Sequence, residues 1–121
     1  MAYYESFNAA KPGYPFEAWK EYVNDGLDQY TEQNCNKAQK IMDDLIVNLA
    51  RIGKDASEQE KVRYFKIAVE EFNRLNALTN IIETMEREEI FEIFEAIAEI
   101  AGIDTSKYGS GEGIASEWRE W

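Results

Sequence analysis

Apolar residues recur at helical spacing along most of the chain. Between residues 15 and 30, five of them fall at i, i+3, i+7, i+11 and i+14 on one helical face: Phe16, Trp19, Val23, Leu27 and Tyr30. Pro15 suits the first position of this helix, where its missing N–H is not needed. The Asn24-Asp25-Gly26 triplet favours a turn and weakens the prediction, because it can divide the helix in two.

A second helix is predicted to begin near Asn34 or Asn36, either of which can act as its N-cap. Gly53 follows the last apolar residue, in the position where a glycine commonly ends a helix. The buried stripe of this helix consists of Ala38, Ile41, Met42, Leu45, Leu49 and Ile52.

The third helix has the clearest start. Ser57 and Glu60 form a capping-box sequence, in which the serine oxygen and the glutamate carboxylate accept backbone N–H groups of the first turn. This helix is predicted to end near Leu78, and its stripe is Val62, Phe65, Val69 and Phe72.

A fourth helix is predicted from a cap at Asn80 to a stop at Gly102. At 1.5 Å per residue such a helix is about 33 Å long. Its apolar stripe is Ile82, Met85, Ile90, Ile93, Phe94, Ile97, Ala98 and Ala101.

These elements predict a single all-α domain over residues 1–121, built as an antiparallel four-helix bundle in residues 15–102. Residues 1–14 form an irregular N-terminal arm with four aromatic residues: Tyr3, Tyr4, Phe7 and Tyr14. Residues 103–121 form a glycine-rich flexible linker and a short helical strap, residues 114–121. We expect Trp118 of the strap to dock on the bundle, because an exposed indole is costly in water.

Charge limits the classes of partner. The chain has 24 acidic and 13 basic residues, a net charge of −11, and no histidine. The electrostatic field of this negative charge repels nucleic acid and anionic membranes and attracts basic partners.

No apolar run is long enough to cross a bilayer, and the N-terminus does not resemble a signal peptide. With a single cysteine, Cys35, these features predict a cytoplasmic protein.

Catalytic machinery is not evident. Without histidine there is no Ser-His or Cys-His pair and no imidazole ligand for a metal. Lys37 and Lys40 lie near Cys35 and favour its thiolate, although a lone cysteine at a helix start is usually incidental. We predict a protein that is not an enzyme and that has no cofactor and no metal. A Mg²⁺ or Ca²⁺ site made of carboxylates alone is the remaining alternative.

The fourth helix supplies the candidate partner-binding residues. Residues 80–101 contain seven glutamates and one arginine, a net charge of −6. Four of these glutamates fall at i, i+4, i+7 and i+11 and form a glutamate stripe: Glu88, Glu92, Glu95 and Glu99. Like charges at this spacing repel one another, and a basic protein partner would relieve the repulsion. The alternative is a face that is merely solvated.

The chain resembles an uncharacterised family of small, acidic, helical bacterial proteins. The resemblance supports the helical fold and implies no activity. It rests mainly on two regions, the fourth helix and the C-terminus, with a fainter match in the third helix. The residues are Glu83-Thr84, Arg87-Glu88, Ile90, Phe94 to Gly102, Ile114-Ala115, Arg119-Glu120-Trp121 and, more faintly, Phe72-Asn73-Arg74-Leu75.

Small size, acidity and the glutamate stripe favour a non-catalytic protein-binding module. Its expected role is that of an immunity or inhibitor protein that neutralises a basic toxin or nuclease. Two alternatives stay open: a phage-encoded nucleic-acid mimic that inhibits a defence nuclease, and a structural subunit buried in a larger assembly through the aromatic arm. The sequence does not define the oligomeric state.

Overall fold

The computed structural model describes residues 3–7, 14–21, 26 and 29–121. Within these ranges every regular element is helical and no strand occurs, so the prediction of an all-α protein is confirmed. The α-helices are α1 (Tyr3–Phe7), α2 (Phe16–Trp19), α3 (Glu32–Ile52), α4 (Glu58–Thr79) and α5 (Thr84–Ile100). Three 3₁₀ turns follow: Thr105–Lys107, Gly109–Gly111 and Ala115–Glu117. No helix in the described part of the chain is long and apolar enough to cross a membrane.

Helix α3 begins earlier than predicted. Thr31 is its N-cap, and the Thr31 Oγ1 accepts a hydrogen bond from the backbone N–H of Asn34 at 3.1 Å. Asn34 therefore lies inside the first turn, and its side chain donates to the carbonyl oxygen of Gln29 at 3.0 Å. The predicted caps, Asn34 and Asn36, were wrong because Thr31 supplies an equally good oxygen one turn upstream. Gly53 ends α3 with a φ of 85°, as predicted.

Helix α4 begins at the predicted cap. The Ser57 Oγ accepts a hydrogen bond from the backbone N–H of Glu60 at 3.1 Å. The prediction that Asn80 opens the next helix was wrong. Asn80 adopts the left-handed conformation (φ 55°, ψ 33°) and closes α4, donating its N–H to the carbonyl of Asn76 at 2.8 Å. An asparagine tolerates this conformation better than most residues, and it commonly ends helices for that reason.

Helix α5 is consequently shorter than expected. It has 17 residues, about 26 Å, and its N-cap is Glu83. The Glu86 side chain reaches back to accept the backbone N–H of Glu83 at 3.3 Å, as in a capping box.

Helices α3 and α4 are joined by residues 53–57 and pack against each other as a helical hairpin, and α5 follows α4 after residues 80–83. Phe94 of α5 lies against Phe65 and Phe72 of α4, with ring centroids 6.3 and 5.8 Å apart. All three rings are fully buried. This aromatic layer joins α5 to the hairpin and forms the centre of the hydrophobic core.

The four-helix bundle is not confirmed, because the helix predicted from Pro15 to Tyr30 is described only in part. Its described section is α2, which Lys20 and Glu21 continue as a 3₁₀ turn. Two of its predicted apolar residues, Val23 and Leu27, lie outside the described residues, as does most of the Asn24-Asp25-Gly26 triplet. Phe16, Trp19 and Tyr30 are buried as predicted.

The N-terminal arm contains a short helix, α1, where an irregular segment was expected. Phe7 at its end is fully buried in the core. Tyr14 packs edge-on against Phe16, with centroids 5.3 Å apart. The side chains of Tyr3 and Tyr4 and the segment 11–13 lie outside the described residues, so the description of the arm as aromatic is tested only at Phe7 and Tyr14.

The C-terminal residues pack more closely than a flexible linker would. A Cβ at Gly113 would lie 2.5 Å from the Phe91 ring, so the chain approaches α5 as closely as only glycine allows. Trp118 packs against the core, as predicted. Asn73 holds the strap: its Nδ2 donates to the carbonyl of Trp118 at 3.1 Å, and its Oδ1 accepts the N–H of Glu120 at 2.9 Å.

Lys61 joins three parts of the fold from a buried position, with 7% of its surface exposed. Its Nζ donates to the carbonyl of Lys54, before α4, at 2.7 Å and to the carbonyl of Ala101, at the end of α5, at 2.9 Å. A cation at a helix C-terminus is also favoured by the helix dipole. Lys61 therefore caps α5 and fixes it against the start of α4.

We expect Lys61→Met to destabilise the protein by about 2 kcal/mol, because it removes the donor to the buried carbonyl of Ala101 and to the partly buried carbonyl of Lys54. Urea unfolding followed by circular dichroism measures the change. Lys66→Met is the matched control, since Lys66 is exposed on the same helix and the change in charge is equal. Equal stability of the two variants would contradict the capping role of Lys61.

Candidate functional site

The structure divides the glutamate stripe of α5. Glu88, Glu92 and Glu99 are exposed, whereas Glu95 is half-buried. The apolar positions between them, including Ile90, Ile93 and Ile97, are buried against the rest of the molecule. The three exposed glutamates, which we call the acidic face, therefore point away from the core on a helix whose opposite side is fixed.

Glu95 contacts the C-terminal segment. Its Oε2 accepts the backbone N–H of Ile114 at 3.2 Å. Its Oε1 lies so close to Gly113 that a Cβ there would be 2.7 Å away. The spacing of the stripe placed Glu95 with the other three glutamates, but a long-range contact with the strap gives its carboxylate a structural role.

The acidic face is not neutralised within the described part of the molecule. The ion pairs there join Lys20 to Glu17, Lys40 to Asp44, Arg74 to Glu71, Lys107 to Glu58 and Arg119 to Glu112. None of these pairs includes Glu88, Glu92 or Glu99. Arg87 and Arg119 line a small pocket with Glu88, so the positive charge near the acidic face lies at its N-terminal end.

Two further glutamates of α5 lie inward, beside the acidic face. The hydroxyl of Tyr30 donates to the Oε1 of Glu86, which is 5% exposed. The indole Nε1 of Trp19 donates to the Oε1 of Glu89 at 3.2 Å. These bonds attach the N-terminal part of the chain to α5. The roles of Glu86 and Glu89 are not visible in the sequence, because their partners lie 56 and 70 residues away along the chain.

Burial raises the pKa of the Glu89 carboxyl above its usual value of 4.5, and the neighbouring charges of Glu86 and Glu92 raise it further. The hydrogen bond from Trp19 acts in the opposite direction. The ionised form of Glu89 is therefore less favoured in the folded protein than in water, and a cation placed beside it would favour that form.

Cys35 is not an activated thiol. Its side chain is fully buried, and its Sγ lies 3.6 Å from the carbonyl oxygen of Tyr30. Burial raises the pKa of the thiol to about 11, and the charge of Lys20 offsets this only in part. The proposed influence of Lys37 and Lys40 on Cys35 is not found. Both lysines are exposed, and Lys40 pairs with Asp44.

The described residues contain no group of three or more cysteine, aspartate or glutamate side chains placed to hold a metal ion. What the site offers is a surface: a helix that presents three carboxylates to solvent, none of them in an ion pair within the described residues. Such a surface can bind a cationic partner.

Comparison of the chain with protein-family models, with curated proteins and with solved structures gave no match. Within the fold, Asn73 of α4 binds the strap at Trp118 and Glu120, and Phe72 of the same helix packs against Phe94 of α5.

We expect Glu89→Gln to raise the melting temperature at pH 7. A carboxyl whose pKa is raised by folding destabilises the folded state when it is ionised, and glutamine can still accept the hydrogen bond from Trp19. The difference from the parent should shrink as the pH falls through the raised pKa and should vanish below the usual value of 4.5.

The matched control is Glu88→Gln, which removes the same charge from an exposed position of the same helix. Its melting temperature should stay close to that of the parent. Thermal melts between pH 3 and pH 8 make the comparison. A lower melting temperature for Glu89→Gln at pH 7 would contradict the argument.

We also expect Cys35 to be unreactive in the folded protein, because the thiol is buried and the thiolate is the reactive form. Ellman's reagent at pH 8 should label the native protein only as fast as it unfolds, and should label it fully in guanidinium chloride. Rapid labelling of the native protein would show that Cys35 is accessible.

Proposed function

We propose that this protein is a non-catalytic protein-binding module whose acidic face binds a basic partner protein. The observation that carries the proposal is that Glu88, Glu92 and Glu99 are exposed together on one face and lack ion-pair partners in the described structure. A solvated face needs no such concentration of like charge. Binding of a cationic surface would relieve the repulsion between these glutamates.

The geometry of α5 supports this proposal. Glu88 and Glu99 are separated by three helical turns, about 16 Å. The buried stripe on the opposite side of the helix holds the acidic face in place, so little conformational freedom is lost on binding. A matching partner would present lysine or arginine side chains over a similar length.

Within this class we favour an immunity or inhibitor protein that neutralises a basic toxin or nuclease. The net charge of −11 favours fast, electrostatically guided association with such a partner. A cytoplasmic location is part of the proposal, and the free, buried Cys35 is in keeping with it. We retain the four-helix bundle as the proposed architecture, with α2 and the residues after it as the fourth helix beside α3, α4 and α5.

The test is a triple charge reversal, Glu88→Lys, Glu92→Lys and Glu99→Lys. Glu95 is left unchanged because it binds the strap. The partner is first captured from a lysate of the source organism on the immobilised parent protein and identified by mass spectrometry. We expect the triple variant to bind this purified partner at least about tenfold more weakly and with a smaller dependence on salt.

The matched control reverses three exposed acidic residues elsewhere: Glu5→Lys, Glu21→Lys and Asp55→Lys. Each reversal adds two units of charge, so both variants carry −5 where the parent carries −11. A loss of binding confined to the first variant supports the acidic face. Equal effects in the two variants would show that net charge alone governs association. An unchanged affinity in the first variant would refute the proposal.

A further inference from the structure

A groove of about 570 Å³ runs along the outer side of the hairpin between α3 and α4. Apolar side chains from both helices line it: Ile41, Leu45, Ile67, Ala68, Leu75 and Leu78. The buried core residues Leu45, Ala68 and Leu75 form its floor, whereas its exposed α4 residues, Ile67 and Leu78, lie on a different side of that helix from Phe65 and Phe72. The described lining includes no residue of α5, so the groove is distinct from the acidic face.

Two of its apolar residues are unusually exposed. Ile67 is 42% exposed and Leu78 is 84% exposed. Among the described residues the other large hydrophobic side chains with this degree of exposure are Val47 and Met85. Large exposed apolar side chains that line one concave surface are typical of a protein-interaction site.

The charge of the groove is opposite to that of the whole molecule. Its lining includes three cations, Lys37, Lys40 and Arg74, and two carboxylates, Asp44 and Glu71. Lys40 pairs with Asp44 at 2.9 Å, and Arg74 pairs with Glu71. Lys37 is exposed and forms no ion pair within the described residues. In a chain with a net charge of −11, this surface thus carries an excess of positive charge.

The two ends of the groove differ. At one end Arg51 donates a hydrogen bond to the hydroxyl of Tyr64 at 2.8 Å and lies 5.7 Å from the centre of its ring. Toward the other end the lining includes Lys37, Arg74 and Leu78. This end of the groove therefore contains both Lys37, which forms no ion pair within the described residues, and the most exposed apolar side chain, Leu78.

We propose that the groove between α3 and α4 binds an amphipathic α-helix of a partner protein, with its apolar face against Ile67 and Leu78 and its carboxylates beside Lys37 and Arg74. The groove between two packed helices can accommodate the side chains of a third helix. In helix-in-groove binding the bound helix inserts apolar residues at positions i, i+3, i+4 and i+7. From Lys37 to Asn48 the groove is about 16 Å long, which fits three turns of helix. The excess of cations in the lining selects an acidic helix as the occupant.

The proposed binding of an acidic helix in the groove is independent of the acidic face, for which we propose a basic partner. The probe is a fluorescein-labelled synthetic peptide of about fourteen residues, with leucines on one helical face and glutamates on the other. A second peptide carries lysine in place of every glutamate. Net charge alone would make the protein repel the glutamate peptide and attract the lysine peptide.

Fluorescence anisotropy should show saturable binding of the glutamate peptide. Leu78→Asp together with Ile67→Asp should weaken it at least tenfold, and Lys37→Glu should weaken it several-fold. Met85→Asp is the matched control, because Met85 is 68% exposed on α5, outside the groove, and the substitution there should leave the affinity unchanged. Since these side chains are exposed, the variants should keep the parent's circular dichroism spectrum and melting temperature.

No saturable binding of the glutamate peptide, or binding that the groove variants leave unchanged, would refute the proposal. A dimer of the parent protein in sedimentation velocity that Leu78→Asp dissociates would refute it in favour of a second copy as the occupant. Binding of the lysine peptide should respond to reversal of the acidic face and not to the groove variants. The two peptides therefore separate a failure of this inference from a failure of the proposed function.

Discussion

Phe94 packs against Phe65 and Phe72, and this aromatic layer sets the orientation of α5 on the helical hairpin. Once the ring of Phe94 is buried, Ile90 and Ile97 of the same stripe must also face inward. The rotation of α5 about its own axis is then fixed, because helical spacing leaves no other arrangement. The exposure of the acidic face follows from this contact, as does the position of Glu95 beside the strap.

Buried polar contacts then fix the ends of α5. Lys61 caps its C-terminal carbonyl, whereas Tyr30 and Trp19 donate to glutamates of its first turns. These donors come from three separate parts of the sequence, so the helix that carries the acidic face is held along its whole length. A surface held in this way keeps the spacing of its charges, which is what recognition of a partner requires.

The two candidate surfaces differ in both charge and shape. The acidic face is a row of exposed carboxylates on one helix that form no ion pair in the described part of the chain, while the groove is a concave surface between two helices, lined by apolar side chains and three cations. In a chain with a net charge of −11, the two proposed surfaces would suit partners of opposite charge. The separation of these surfaces on the fold would allow both to be occupied at once.

The sequence by itself determined the features that depend on neighbouring residues. Helical periodicity predicted the all-α fold and most of the buried stripes, although Met85 of the predicted fourth-helix stripe is 68% exposed. Local capping chemistry predicted the start of α4 at Ser57 and the end of α3 at Gly53. The sequence also predicted that Glu88, Glu92 and Glu99 are exposed, because they lie opposite the apolar stripe of their own helix.

Only the tertiary structure decided which residues meet across the chain. Glu95 was assigned to the wrong surface because its partner, Ile114, is brought to it by the fold of the C-terminal segment. The role of Lys61 and the groove between α3 and α4 depend in the same way on how separate helices pack, and helical periodicity carries no information about that packing. Asn80 shows that even a helix end cannot always be predicted from neighbouring residues. An asparagine can cap either end of a helix, and the surrounding packing makes Asn80 the C-cap of α4.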